Sequence, residues 1–347
     1  MAIATSSLIG SSSPVVSVVM AVKDGADLVA DAVQSILQQS FADFEFIIID
    51  DGSKDDTLAI LKRFSDPRIR IYSQENQGLA RALNRGFSLS NGQYLARQDH
   101  DDVSYPTRLA KQLEFLERNP SYGLLGTAAD IWNSQGSTGR VHQHPTTPGV
   151  LAFDLLFNNP FVHTAWMLPK AVIDQVGNYS TDRTREPPED YELVSRIVRA
   201  YPVANLSERL VAYREVANSL SSGLRVQAEK NNAFMRRLAT ISAENLAFVC
   251  KLEFNHPDAV NFGALVHLDY SALVGEPNIQ AIRERVRFAA KAIAKQYQEP
   301  EVLQALPSKL DLLTANYFMG SPSVSWPMKT QYRIKKKLRK LFSVSVL

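Results

Sequence analysis

The sequence predicts an α/β fold: a mostly parallel sheet sandwiched by helices, followed by a helical extension. Three observations carry this. Apolar, β-branched runs alternate with stretches of helical periodicity through the first part of the chain. Aspartates recur at the ends of the predicted strands, where such sheets bind ligands. Beyond Ser219-Leu220-Ser221-Ser222-Gly223 the composition turns to helix formers, through about Gln298.

In chain order, Val15 to Val22 is a β-branched run and reads as a buried strand. Leu28, Val29, Ala32, Val33, Ile36 and Leu37 follow at helical spacing. Phe44 to Ile49 is a second strand, ending at Asp50-Asp51-Gly52-Ser53. Thr57 to Phe64 is helical, Arg68 to Tyr72 a third strand, Leu79 to Leu89 a helix, and Tyr94 to Arg97 a fourth strand. Thr107 to Arg118 places Leu109, Leu113 and Leu116 on one helical face. Gly136, Gly139, His142, His144, Pro145 and Pro148 mark an irregular crossing. Thr164-Ala165-Trp166-Met167 reads as a strand and Asp190 to Ala200 as a helix.

The gross numbers fit an enzyme. The chain has 347 residues, 45% of them hydrophobic, enough for a large core. A formal charge of +2 gives no support to a nucleic-acid partner. One cysteine, Cys250, rules out an internal disulfide and fits a reducing compartment. No apolar run is long enough to span a bilayer. Met1 to Ser13 lacks a basic start and an apolar centre, so it reads as a disordered lead-in rather than a signal peptide.

Two acidic signals carry the chemistry. Asp99-His100-Asp101-Asp102 ends the fourth strand, and Glu189-Asp190 opens a helix further on. Carboxylates clustered at a strand end form an oxygen-only site for a hard divalent cation. Such a cation stabilises a departing diphosphate. A separate carboxylate suits a base that takes a proton from a second substrate. At a helix start the same carboxylate also suits an N-cap. Together the signals indicate group transfer from a nucleotide donor.

The residues also resemble a known family. Val19-Met20-Ala21-Val22-Lys23-Asp24, Gln34 to Phe41, Ile49-Asp50-Asp51-Gly52-Ser53, Asn76-Gln77-Gly78-Leu79-Ala80-Arg81, Asp99-His100-Asp101-Asp102, Asn159-Pro160-Phe161-Val162-His163 and Glu189-Asp190-Tyr191-Glu192-Leu193 stand in the order and spacing of family 2 glycosyltransferases. These are inverting enzymes with the GT-A fold. The resemblance covers roughly Pro14 to Ser221. It implies a nucleotide-sugar site at Ala21, Asp24, Asp51, Arg81 and Asp99, with Asp51 recognising a uracil. It implies a Mg or Mn cation on Asp101 and Asp99, with Asp102 in support. Asp190 becomes the general base, and Glu189 and His163 line the acceptor cleft. An ordinary surface role for Arg81 and a packed core role for His163 stay open. The implied partners are a nucleotide sugar, usually a UDP-sugar, and a glycan or lipid-linked acceptor.

Two departures stand out. Lys23-Asp24 replaces a frequent Tyr-Asn. In Tyr213-Arg214-Glu215-Val216-Ala217-Asn218-Ser219-Leu220-Ser221, Val216 takes the place of a His that commonly helps hold metal or diphosphate. A sugar nucleotidyltransferase, or a decayed transferase acting as a membrane-attached binding subunit, is the alternative.

Domains are expected at 1–13 (lead-in), 14–221 (GT-A domain) and 222–347 (helical extension with a basic tail). In that tail Lys329, Arg333, Lys335, Lys336, Lys337, Arg339 and Lys340 flank a stripe of Ile334, Leu338, Leu341 and Phe342. Such a stripe lies on an anionic membrane surface, or docks on the enzyme with its charges wet. The expected location is cytoplasmic, peripheral on the inner face of the membrane under the first reading.

Overall fold

The structure, a computed structural model, describes residues 13–182, 184–216 and 228–320, together with Met328. The lead-in up to residue 12, the Ser219-Leu220-Ser221 end of the closing motif and the basic tail from Lys329 lie outside the described residues.

Strand β1 (Val16–Val22) is buried along its whole length. It lies parallel between β2 (Phe44–Asp50) and β4 (Tyr94–Asp99), and β3 (Ile69–Ser73) extends the same edge in parallel beyond β2. Register aligns their carboxyl ends: Ala21 faces Ile49 on one side and Asp99 on the other, and Val22 faces Asp50. Asp24, Asp51, Asp99 and Asp101 therefore gather along one rim because each ends or follows a strand of the same sheet.

The other half of the sheet is mixed. The order is β3-β2-β1-β4-β8-β6-β9-β5, with β7 on the outside of β6. Here β5 is Val103–Ser104, β6 Leu124–Asn133, β7 Gly136–His142, β8 Met167–Pro169 and β9 Val203–Arg214. β8 runs antiparallel to both β4 and β6, while β6 and β9 run parallel with two register shifts. The Thr164–Met167 strand is displaced. His163–Ala165 form a 3₁₀ turn and the strand begins at Met167. The cause is local: the Ala165 amide turns back to the Val162 carbonyl, and the Thr164 hydroxyl accepts the Asp99 amide at 2.9 Å. The glycine-marked crossing near Gly136 is a strand, β7, in a hairpin with β6.

Alternation along β1 divides the core. Val16, Val18, Met20 and Val22 face a cluster closed by α1 (Val29–Leu37), α2 (Thr57–Leu61) and α4 (Arg108–Arg118). Val19 and Ala21 face the opposite cluster, closed by α3 (Leu79–Ser88), α6 (Lys170–Val176) and α7 (Glu189–Val198). Gly86 lets α3 lie directly on β1; a Cβ there would sit 2.3 Å from a Val19 methyl.

A third cluster belongs to the helical extension. α8 (Ala228–Cys250), α9 (Pro257–Val266), α10 (Ile279–Tyr297) and α11 (Val302–Gly320) pack their apolar faces on Phe153 and Phe157, at the end of α5 (Pro148–Asp154) and just beyond it. A buried polar seam ties this bundle to α7. Tyr191 donates to the Leu155 carbonyl at 2.6 Å and meets Ser242, which meets His267 at 2.7 Å. Among the described residues no helix is long and apolar enough to cross a membrane.

Arg108 staples the two halves of the sheet. It is fully buried, and its guanidinium donates to Gln112, Gln98, Ser104 and the carbonyls of Arg97 and Trp166. A planar fork of five N–H groups satisfies this set, which a lysine cannot do. Truncation would strand several buried acceptors, each worth about 1–3 kcal/mol when unpaired. Arg108→Ala is therefore expected to lose at least about 3 kcal/mol of stability, read as a lower urea midpoint with the slope unchanged.

Candidate active site

The part of the rim beyond β1 and β2 is built by cross-linked loops. Asp24 adopts φ 51°, and its carboxylate accepts the Lys54 amide at 2.7 Å. The amides of Asp24, Gly25 and Ala26 donate to Ser53, Thr57 and Asp55. Asp51 is buried, and its carboxylate accepts from the Gln74 side chain and from the amides of Gln77 and Gly78, at 2.7–2.9 Å. It thus fixes the turn into α3, where Gly78 has φ 95°. A carboxylate has about four lone-pair positions, so one acceptor position remains for a base. Arg81 reaches across to the Thr181 carbonyl at 2.8 Å and to Glu186 at 3.5 Å. It bridges α3 to the 181–186 segment.

The acidic cluster forms around Arg97. This side chain is 1% exposed and donates to Asp99 at 2.5 Å; among the described residues its Nε and Nη1 have no partner. Burial opposes ionisation of Asp99, but Arg97 and the neighbouring imidazoles outweigh it and hold the carboxyl below its usual range. Burial and then the Asp99 charge push Asp101 up. Asp102 is pushed well up by burial, then by Asp99 and Asp101. Its Oδ1 accepts the Arg214 amide at 2.7 Å, and among the described residues its buried Oδ2 has no hydrogen-bond partner.

This donor set fits a hard divalent cation: all oxygen, over-negative, with one buried carboxylate oxygen unpartnered. Among the described residues no three His, Cys, Asp or Glu side chains form a cage by themselves, so substrate and water oxygens would have to complete the shell. Val216, two residues beyond the Arg214 amide on Asp102, has no side-chain nitrogen to add.

Glu189 and Asp190 start α7 on the same side of the sheet. The half-buried Asp190 is fixed by the Asn159 amide at 2.9 Å and by the Tyr191 backbone N–H at 2.7 Å. Burial raises its pKa, and the Asp99 charge adds to the rise, so the two carboxylates feel one another. Glu189 is buried and pushed up to about 8 by burial and then by Asp190. His163 meets the Tyr179 hydroxyl at 2.7 Å and stacks edge-on against Trp166. Burial and then Arg97 push it down to about 3, a neutral imidazole at physiological pH.

The site thus brings together Asp99, Asp101, Glu189, Asp190 and His163, while Ala21, Asp24 and Asp51 line the adjoining rim. Sequence reading missed Arg97, Thr164 and Tyr179. A strand position between apolar neighbours was the available signal for Arg97. Thr164 acquires its role only when the 3₁₀ turn before β8 reaches Asp99.

Glu189 makes stability depend on pH. Its folded pKa lies above the ordinary value of 4.5, so its contribution is complete below that value and is lost as pH rises through about 8. Glu189→Gln cannot ionise. The Tm difference between Gln variant and parent should grow in the variant's favour from about pH 5 and level off above about pH 8, as thermal melts across that range will show.

Comparison with known proteins agrees with this geometry. The profile described as Glycosyl transferase family 2 matches residues 17–177. A Bacillus subtilis (strain 168) protein, EpsE, named as a glycosyltransferase, is 33% identical over 244 residues, covering 69% of this chain and 81% of the relative. The O-antigen biosynthesis glycosyltransferase WbnJ of Escherichia coli is 34% identical over 207 residues, covering 57% of this chain and 79% of its own. Among solved structures, S. aureus TarS 1-349 in complex with UDP-GlcNAc superposes with a TM-score of 0.57 at 17% identity, over 92% of each chain. That likeness shows the fold. With the sheet order, the acidic rim and these relatives in hand, the chain is a glycosyltransferase of the GT-A fold and belongs to glycosyl transferase family 2.

Proposed function

We propose that the enzyme moves a sugar from a UDP-sugar to a hydroxyl of a glycan or lipid-linked acceptor, with inversion, in polysaccharide assembly. One observation carries the reading: the segment 159–164 bonds to Asp190 through Asn159 and to Asp99, at the end of β4, through Thr164, which brings the two carboxylates to one site. A base beside a diphosphate site is what a single displacement requires. Names of relatives support the context, since WbnJ acts in O-antigen biosynthesis and a Bacillus subtilis relative, TuaG, is named for teichuronic acid biosynthesis. TarS has been crystallised with UDP and with UDP-GlcNAc.

In this mechanism Asp51 accepts the uracil N3–H at its remaining acceptor position, and Asp99 faces the ribose. Asp99 and Asp101 would hold Mg²⁺ or Mn²⁺, which when bound neutralises charge on the departing diphosphate. Asp190 takes the proton of the acceptor hydroxyl as its oxygen bonds to the anomeric carbon and the carbon–phosphate oxygen bond breaks. Its raised pKa makes it a stronger base than a free aspartate. Glu189, protonated near neutrality, spares Asp190 a second charge beside it. The tail sequence supports a location on the inner face of an anionic membrane.

The nucleotidyltransferase alternative needs a loop of free amides after β1 to cradle phosphates. Here the amides of Asp24, Gly25 and Ala26 are committed to Ser53, Thr57 and Asp55. This favours the transferase.

Asp101→Ala should abolish Mn²⁺-dependent UDP binding in calorimetry and most transfer. Equal UDP affinity with and without Mn²⁺ in the parent protein would remove the metal from the scheme.

Asp190→Asn keeps the shape but cannot accept a proton. Transfer should fall by about two to four orders of magnitude with UDP-sugar affinity retained. Near-normal turnover would show that another group is the base.

A further inference from the structure

Three rings stand on the acceptor side of the sheet, beyond the residues so far given a role. His142 pairs in register with Ala129, and cross-strand partners share a face. Ala129 packs with Val162, Ala165 and Val211, and Tyr213 packs against the same cluster. His142 meets Tyr213 edge to face, with centroids 5.2 Å apart and planes at 83°. His144 follows two residues on, its ring nearly parallel to that of His142 at 6.1 Å and 11°. All three side chains are half-buried, leaving part of each ring open.

This group is tied to the chemistry. The Asn205 amide donates to the carbonyls of Pro145 and Pro160, at 3.0 and 3.1 Å, clamping the His144 loop to the segment that carries Asn159. Asn159 in turn holds Asp190. On the cluster's other flank Val162 adjoins His163. The rings are thus linked to Asp190 through this clamp, on the β6 side of the sheet rather than at the Ala21–Asp51 rim.

We propose that His142, His144 and Tyr213 form an aromatic platform that binds a pyranose ring of the acceptor by stacking. This rests on the glycosyltransferase reading and specifies its acceptor side. The apolar face of a pyranose presents C–H groups of slight positive charge, which the negative face of an aromatic ring attracts. Burial of the two imidazoles lowers their pKa, keeping the rings uncharged. The two near-parallel imidazoles and the Tyr213 ring set at right angles to His142 offer a sugar ring faces in two directions. Neither imidazole has to use its nitrogens for this.

The probes are p-nitrophenyl glycosides of common hexoses and N-acetylhexosamines. Saturation-transfer NMR on the full chain, without donor, should show ring C–H contacts for at least one glycoside, weakened in His142→Ala and His144→Ala. In transfer from a UDP-sugar, each alanine variant should raise the glycoside KM about three- to ten-fold without raising the donor KM. His142→Phe and His144→Phe keep a ring face and should restore most of the loss. Absence of contact from every glycoside, unchanged glycoside KM in the alanine variants, or phenylalanine variants no better than alanine would each overturn the platform. Because the contact measurement needs no donor, failure to bind or turn over any nucleotide sugar counts against the proposed function alone.

Discussion

The site depends on one buried ion pair, Arg97 with Asp99. Five carboxylates, Asp99, Asp101, Asp102, Glu189 and Asp190, share this corner of the protein. Four have pKa values raised by burial and by one another. Asp99 alone is lowered, and it alone of the five accepts a bond from Arg97. Burial acts on all five, so the partner accounts for the difference. Two unit charges about 4 Å apart near a protein surface attract by about 4 kcal/mol, enough to hold one carboxyl below its usual range where its neighbours are pushed above it. That fixed negative charge is then felt by Asp101, Asp102 and Asp190. The electrostatics of the rim propagate outward from a single strand position.

Arg97 can hold this place because β4 is immobilised beneath it. Its backbone amide bonds to the Trp166 carbonyl at 2.9 Å, and its own carbonyl accepts from Arg108 at 2.6 Å. Arg108 is buried with neutral oxygen partners, and burial followed by the nearby Arg97 lowers its pKa to about 9. Two arginines on the two faces of one strand are tolerable only with their polar atoms engaged. Arg108 meets this through five bonds within the fold. Among the described residues Arg97 places Nη2 on Asp99 and leaves Nε and Nη1 without a partner. The first arginine serves the fold, and the second serves the site.

What could be read from the sequence was local. Each rim aspartate follows its own apolar strand, so Asp51, Asp99 and Asp101 were legible one segment at a time, and parallel topology aligned them. Asp190 was legible as the start of an amphipathic helix. The long strands β6 and β9 were not. The centre of β6, Gly126-Thr127-Ala128-Ala129, has little β-branched character, and Ser207-Glu208-Arg209 interrupts β9 with polar residues where its register against β6 shifts. Their pairing, formed across the chain, overrides weak local preference. Arg97 was passed over because a strand arginine is ordinarily exposed. Its burial depends on acids contributed by α7 and a turn contributed before β8, neither visible from its own segment. His142 looked like a loop residue for the same reason: only pairing with Ala129 of β6 gives it a face, and His144 follows it just beyond the strand.

The two ends of the proposed reaction are set by a single short segment. Asn159 fixes the Asp190 carboxylate, and Thr164, at the other end of Asn159-Pro160-Phe161-Val162-His163-Thr164, accepts the Asp99 amide. Between them His163 bonds to Tyr179, and the Pro160 carbonyl is clamped by Asn205. The spacing of Asp190 and Asp99 therefore depends on this segment rather than on two independent loops. An in-line displacement loses rate steeply when its reacting groups are misplaced by about 1 Å. Asp190 and Asp99 are thus both anchored to one stretch of chain, while Tyr191, the residue after Asp190, is tied to the helical extension through Ser242.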